Sequence, residues 1–218
     1  MAITELSDNE LLVPHVPVLR RDLMLEGDVT GHPVHPLLRP LFPGGLRSEA
    51  YSLDGASDVG LGLLVNGWCG IVGIPELRGA QMRRWGVDAS RLVMISSSRG
   101  WLATVAALVE DLDVVYACAP PAMSLEASRR LAARLKVCQS TLVVCGGWSS
   151  AVTHIDARTI GWWESHQAGR SSPVREVEVS VTRHHWSRSV VLARDDRGVH
   201  GISSELAEGS RHDGETLA

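Results

Sequence analysis

One phenylalanine and two tyrosines in 218 residues leave the chain with little of the usual aromatic core material, and seven tryptophans stand in their place. Tryptophan suits positions where an apolar body meets a polar rim, so some of the seven are expected at an interface and the others in ordinary core positions. The four cysteines, Cys69, Cys118, Cys138 and Cys145, nowhere show C-x-x-C spacing. Three of them fall inside apolar strand-like runs, which predicts reduced, buried thiols of a cytosolic protein rather than zinc ligands or disulfides. No apolar run approaches the ~18 residues that would cross a membrane. The opening MAITELSDNELL has acids but neither a basic region nor an apolar stretch, so the expected location is cytoplasmic, with no membrane contact. An excess of positive charge is missing too: the formal charge is −4, and any nucleic-acid contact would have to come from a local basic patch.

The most informative absence lies in residues 42–66, FPGGLRSEAYSLDGASDVGLGLLVN. Their outline is a strand, a glycine-rich phosphate loop and a helix. A working loop reads G-x-x-x-x-G-K-[ST], in which backbone N–H groups close around phosphates, the Lys reaches the terminal phosphates and the hydroxyl binds Mg²⁺. Gly55 and Gly60 have that spacing, but the Lys position is Leu61 and the hydroxyl position is Gly62. Neither the cation nor the metal-binding hydroxyl is supplied, so no cofactor and no metal are expected there.

What is present is enough for one full core, since 44% of the chain is hydrophobic. The predicted organisation is an N-terminal appendage over residues 1–36, a core over 37–193 and a disordered Gly-, Ser- and charge-rich tail over 194–218. Ser7 and Glu10 form a candidate capping box that Pro14 and Pro17 cut short. His15, His32 and His35 have no spacing that would gather them round a metal and are expected as solvated loop histidines. Strands are predicted at 50–53, 68–74, 91–96, 114–119 and 140–145, all apolar runs without alternation, as in a parallel sheet covered on both faces. Between them, helices are expected from 61 (cut short and closed by Gly67), over 76–85, over 101–112, and after the cap Ser124. On that last helix Leu131 and Leu135 face inward and Arg129, Arg130, Arg134 and Lys136 outward. The alternation is that of an α/β fold, a mostly parallel sheet with helices on both faces. Alternating runs at 176–181 and 189–193, joined across RHHWSR, add antiparallel strands at the C-terminal side.

In order and spacing these motifs resemble the core of the RecA superfamily. PGGLRSEAYSLDGASDVG resembles its turn, strand and phosphate loop, and WCGIVGIPELRGAQMRRWGVDASRLVMIS its second strand, helix and third strand. The resemblance places the Walker B Asp on Cys118 and the nucleotide-sensing Gln near Trp148. Glu76 lies near the family's water-activating carboxylate, at a shorter spacing to Gly86; as a bare sequence feature it is a first-turn helix acid. Phosphoryl transfer needs positioning and charge neutralisation together, so these losses imply a protein that is not an enzyme. Within the superfamily the chain is similar to the ImuA family, in its actinobacterial ImuA-prime branch, through P-G-G-L-R, G-V-D-x-S-R-L, R-R-L-A-A-R at residues 129–134 and the L-V-V-x-G-x-W strand end at 142–148.

That resemblance implies an accessory protein of a DNA-damage-induced (SOS) mutasome in translesion synthesis. Its partners would be the inactive Y-family polymerase homologue ImuB and, indirectly, an error-prone C-family DNA polymerase. Candidate ImuB-binding features are the two ends of the chain and exposed tryptophans. Candidate contacts to single-stranded or damaged DNA are Arg129, Arg130 and Arg134 on the helix, and Arg183, Trp186 and Arg188 in the hairpin, where cations flank an aromatic. Two alternatives remain at this level: a SulA-like cell-division inhibitor that binds a tubulin-like partner, and a weak RecA-type ATPase in which the Gly55-to-Gly60 backbone still cradles an anion.

Overall fold

The computed structural model describes residues 31–96, 99–167, 170–183, 186–195 and 197–201. The expectations for residues 1–30, including Ser7, Glu10 and His15, and for 202–218 lie outside the described residues; of the connection expected over 183–188, Arg183 ends a strand, 186–188 begin the next, and only His184 and His185 lie outside the described residues.

The period-free apolar runs become β1 (Ala50–Gly55), β2 (Cys69–Val72), β3 (Leu92–Ile95), β4 (Val114–Cys118) and β5 (Thr141–Cys145). β2, β4 and β5 are buried along their length, which is why they carry apolar side chains on both faces. β3 is the edge strand, and Met94 stands exposed on it. Beyond β5 come β6 (Thr153–Gln167), β7 (Arg170–Arg183), β8 (Trp186–Arg194) and β9 (Val199–Gly201). All join one nine-stranded sheet in the order β3-β2-β4-β5-β1-β6-β7-β8-β9. Pairing is parallel from β3 through β6 and antiparallel from β6 to β9. The architecture is thus a mixed, mostly parallel sheet flanked by helices and continued by antiparallel C-terminal strands.

Two cores cover the two faces. On one, α2 (Trp101–Asp111) and α3 (Leu125–Cys138) pack over β4 and β5. The α2 positions Trp101, Val105 and Val109 recur every fourth residue and are fully buried, each worth roughly 1.5–3 kcal/mol against exposure. A change such as Val105→Asp would bury an unpaired charge there and undock the helix. Ser124 caps α3 by accepting the Ala127 N–H at 3.1 Å, and Leu131 and Leu135 are buried as expected. The other face is covered by α1 (Gly79–Arg84), the 3₁₀ helix Ser57–Leu63 and the segment that leads into β1.

Several expectations need correction. The core begins before residue 37: His32 bridges to Leu46, and Val34 and Leu38 are buried. His32 and His35 are therefore not solvated loop residues; His32 is partly buried with its Nε2 out of solvent, and His35 meets the Trp85 ring edge-on at 5.3 Å. The helix expected over 76–85 is only α1, because the Gln81 side chain accepts the Arg78 N–H at 2.7 Å and starts the helix there, while Leu77 is drawn into the core. Glu76 consequently sits in a turn and is not a first-turn helix acid. The tail boundary at 194 is too early, since β9 pairs with β8 through Arg194 and Val199. β6 was not anticipated: buried Ile155 and Ala157 alternate with polar His154, Asp156 and Arg158, too weak an apolar signal to single out.

Candidate functional site

β1, β5 and β4 are neighbours and parallel, so Gly55, Cys145 and Cys118 end on one edge of the sheet. That edge is where a helix-flanked parallel sheet ordinarily receives a ligand. Here it is closed. The residues after β1 do not form an open loop followed by a helix but a seven-residue 3₁₀ helix, with Asp58 through Leu63 all buried. Runs of that length are uncommon, and packing explains this one. A Cβ on Gly60 would lie 2.4 Å from Cζ of Tyr116, and one on Gly62 would lie 2.5 Å from the Trp85 ring. The Tyr116 hydroxyl donates to the Ser57 carbonyl at 2.7 Å, pinning the segment to β4. Burial, with the neighbouring Cys145 next, pushes the Tyr116 phenol far above its usual range. Leu61, at the position of the missing Lys, is fully buried.

The other positions divide between the two faces. Cys118 stands in direct register with Cys145, and both are free, half-buried thiols. Burial raises both, and the charge of Glu76 adds to the effect, so neither is a ready nucleophile. Trp148 belongs to the opposite core, edge-on to Trp101 at 6.4 Å, with its backbone N–H on the Ser52 hydroxyl at 3.1 Å. It is a packing residue there. Among the described residues no group of three or more His, Cys, Asp or Glu side chains could hold a metal ion. The edge therefore offers tightly packed apolar and thiol groups, with buried Leu61 where a phosphate loop has its Lys.

The two basic sets lie on opposite faces. On α3, Arg130 pairs with Glu126 and Arg134 with Glu110 of α2, whereas Arg129 is exposed. Such surface pairs add little stability, but they reduce the positive field of the helix. At the β7–β8 end, Arg183, Trp186 and Arg188 come together around a cleft of about 230 Å³ that Arg47 and Tyr51 also line. Arg188 lies over the Trp186 ring at 5.3 Å and donates to the Pro40 carbonyl at 3.3 Å. Arg183 is held by Glu49 at 3.0 Å, mostly out of solvent. Trp186 and Arg188 are the more available members, and Trp186 is exposed.

Sequence reasoning missed a second cluster, formed by Trp162, Arg175 and Arg194 across β6, β7 and β8. The alternation read at 176–181 extends back one position to Arg175 and would have placed it on the inner face. Trp162 could not be placed in the same way, because the register shifts between Thr159 and Gly161. Among the described residues no helix is long and apolar enough to cross a membrane.

No curated protein matches the chain. A family model described as the MT3502 N-terminal domain matches residues 40–150, which run from just before β1 past the end of β5 and take in Trp148. That span is just over half of the sequence and contains the whole parallel core up to β5, so the chain belongs to the MT3502 N-terminal domain family.

Proposed function

We propose that the protein is a non-catalytic, RecA-like accessory protein of DNA-damage-induced translesion synthesis, of the ImuA-prime kind. It acts in the cytoplasm, binds an ImuB-type inactive Y-family polymerase homologue, and through it works with an error-prone C-family polymerase. The observation that carries this reading is the placement of the three strands to which the resemblance assigns the phosphate loop, the Walker B Asp and the sensing Gln. They are β1, β4 and β5, parallel and side by side, with their ends on one edge. A single nucleotide site would need that arrangement. The edge is instead packed with Leu61 and Tyr116. A frame of this kind with its cavity filled suits a scaffold that binds macromolecules better than one that turns over nucleotide.

The Trp186 and Arg188 face offers the pairing of aromatic and cation that receives a single strand. The α3 arginines contribute less, because two of the three are already paired with glutamates. The test is a pull-down of the full chain with the purified polymerase homologue, beside a Mg²⁺-ATP hydrolysis assay. Complex formation without turnover is the expected result. Turnover that Glu76→Gln abolishes, or failure to bind the homologue at micromolar concentration, overturns the proposal.

A further inference from the structure

The β-bulge between Thr159 and Gly161 has a local consequence. Ile155 and Ala157 point into the core, and unbroken alternation would bring Gly161 and then Trp163 to that face. The bulge shifts the register by one, so that Trp162 pairs with Arg175, which in turn pairs with Arg194, which pairs with Val199. These four form one cross-strand row on the face that holds Val177 and Leu192. Bulges re-aim side chains in this way, and they concentrate beside binding sites.

The row opens into a cleft of about 340 Å³, whose other walls include Asp58 of the 3₁₀ helix and Arg84 and Trp85 of the α1 end. That volume is within the range of small-molecule sites. The guanidinium of Arg175 lies 4.2 Å over the Trp162 ring, which fixes its plane and leaves its N–H edges for an acceptor. Trp162 is nonetheless 61% exposed, a large aromatic surface left open. Arg194 is nearly buried and paired with Asp58. Among the described residues Arg175 has no carboxylate within ion-pair distance, although it stands directly opposite another arginine. Like charges placed opposite each other across strands destabilise a sheet unless something neutralises them.

Burial lowers the Arg194 pKa first, Asp58 opposes this, and the positive charges of Arg175 and Arg84 lower it further. The other acid of the cleft, Asp195, is committed to the N–H groups of Arg197 and Gly198. The Trp85 Nε1–H is buried without a hydrogen-bond partner among the described residues.

We infer that this cleft binds a phosphorylated ligand carrying a planar ring, the nucleoside monophosphate class, with the phosphate on Arg175 and Arg194 and the ring against Trp162. The cleft borders the closed segment after β1 through Asp58 but takes its proposed ligand groups from β6, β7 and β8, and it does not depend on the accessory role proposed above. The ligand's source is either a free mononucleotide or the phosphorylated end of a single strand, and both present the same chemistry.

The test is titration of the full chain with dAMP, deoxyadenosine, inorganic phosphate and a 5′-phosphorylated dA hexamer, followed by tryptophan fluorescence and calorimetry. Saturable binding of dAMP or of the hexamer is expected, tenfold or more tighter than that of deoxyadenosine. Binding of dAMP identifies a free nucleotide, and binding of the hexamer alone identifies a strand end only where Arg175→Gln weakens it and Trp186→Ala does not. Arg175→Gln should weaken binding of dAMP or the hexamer at least tenfold, while Trp162→Ala should weaken dAMP more than it weakens inorganic phosphate. Both positions are on the surface of the sheet, and circular dichroism checks that the variants are folded. No saturable binding of dAMP or the hexamer up to millimolar concentration overturns the inference. So does equal binding by folded Arg175→Gln, or inorganic phosphate binding as tightly as dAMP.

Discussion

Gly60→Ala tests whether the segment after β1 is packed shut by Tyr116. The added Cβ would sit 2.4, 2.6 and 2.8 Å from Cζ, Cε1 and the hydroxyl of Tyr116. Neither partner can yield easily. Tyr116 is fully buried on the interior strand β4, and Gly60 is flanked by Val59 and Leu61, which are buried too. Overpacking of this kind costs about 1–3 kcal/mol, here at the upper end, and restricting the unfolded chain returns about 0.4–1 kcal/mol. A net loss of about 2 kcal/mol is expected, or roughly 4–8 °C in Tm for a domain of this size. Tyr116→Leu removes the ring and the bond to the Ser57 carbonyl, at about 3 kcal/mol. In the double variant the methyl enters space the ring has left, so the two costs should fall short of additive by about 1.5 kcal/mol. Urea unfolding of the four proteins measures this cycle, provided the m-values agree. Additivity within about 0.5 kcal/mol would refute the packing argument, because the two groups would then not be in contact.

Acid should weaken the fold well before carboxylates titrate. Burial holds His32 below its usual 6.5 against the pull of Asp113, and burial with Arg39 lowers His35, so the unfolded chain binds more protons just below that value. The stability from these residues is complete above about pH 7.5 and declines as pH falls through about 6.5; His32→Gln should flatten the urea midpoint between about pH 7.5 and 5.5. Alkylation with iodoacetamide, read by mass spectrometry, should leave Cys69 unlabelled in the native protein at neutral pH, since burial, followed by Asp113, pushes its thiol up to about 12. Cys118 and Cys145 should react more slowly than in the denatured chain, for burial raises both. In fluorescence anisotropy with a single-stranded oligonucleotide, Trp186→Ala and Arg188→Ala should each weaken binding roughly tenfold. Arg130→Ala should leave it within about twofold, because that cation is already paired with Glu126.

The parts of the fold legible in the sequence are those whose burial follows a period. Val114–Cys118 and Thr141–Cys145 are apolar throughout because both faces are covered, and α2 shows its stripe at Trp101, Val105 and Val109. The antiparallel extension was half legible: Val177, Val179 and Val181 alternate cleanly and mark β7, but β6 carries too few apolar residues and its bulge breaks the alternation before Trp162. The cluster of Trp162, Arg175 and Arg194 escaped for that reason. Its members lie on three strands, and a register shift of one residue decides whether they share a face. The hairpin set of Arg183, Trp186 and Arg188 was visible because its members are close in sequence, whereas the glutamate that occupies Arg183 comes from residue 49 and could not be foreseen.

The glycines after β1 pose the sharpest ambiguity. In the sequence, Gly55 and Gly60 form a phosphate-loop outline, since backbone that must approach an anion closely has to be free of Cβ atoms, and Gly62 stands where the loop would have its hydroxyl. In the structure, close approach is again the reason for glycine at 60 and 62, but the approaching groups are Tyr116 on one side and Trp85 with Leu38 on the other. The two causes leave the same mark in one dimension. They differ in what stands beside the glycines: a phosphate loop has a Lys and a hydroxyl there, whereas a packed segment has apolar residues that tolerate complete burial, as Leu61 and Leu63 do. The glycine spacing therefore carries no argument for anion binding at this edge. An anion is better placed at the guanidinium of Arg175, where the cleft is open and no ion pair to that side chain is present among the described residues.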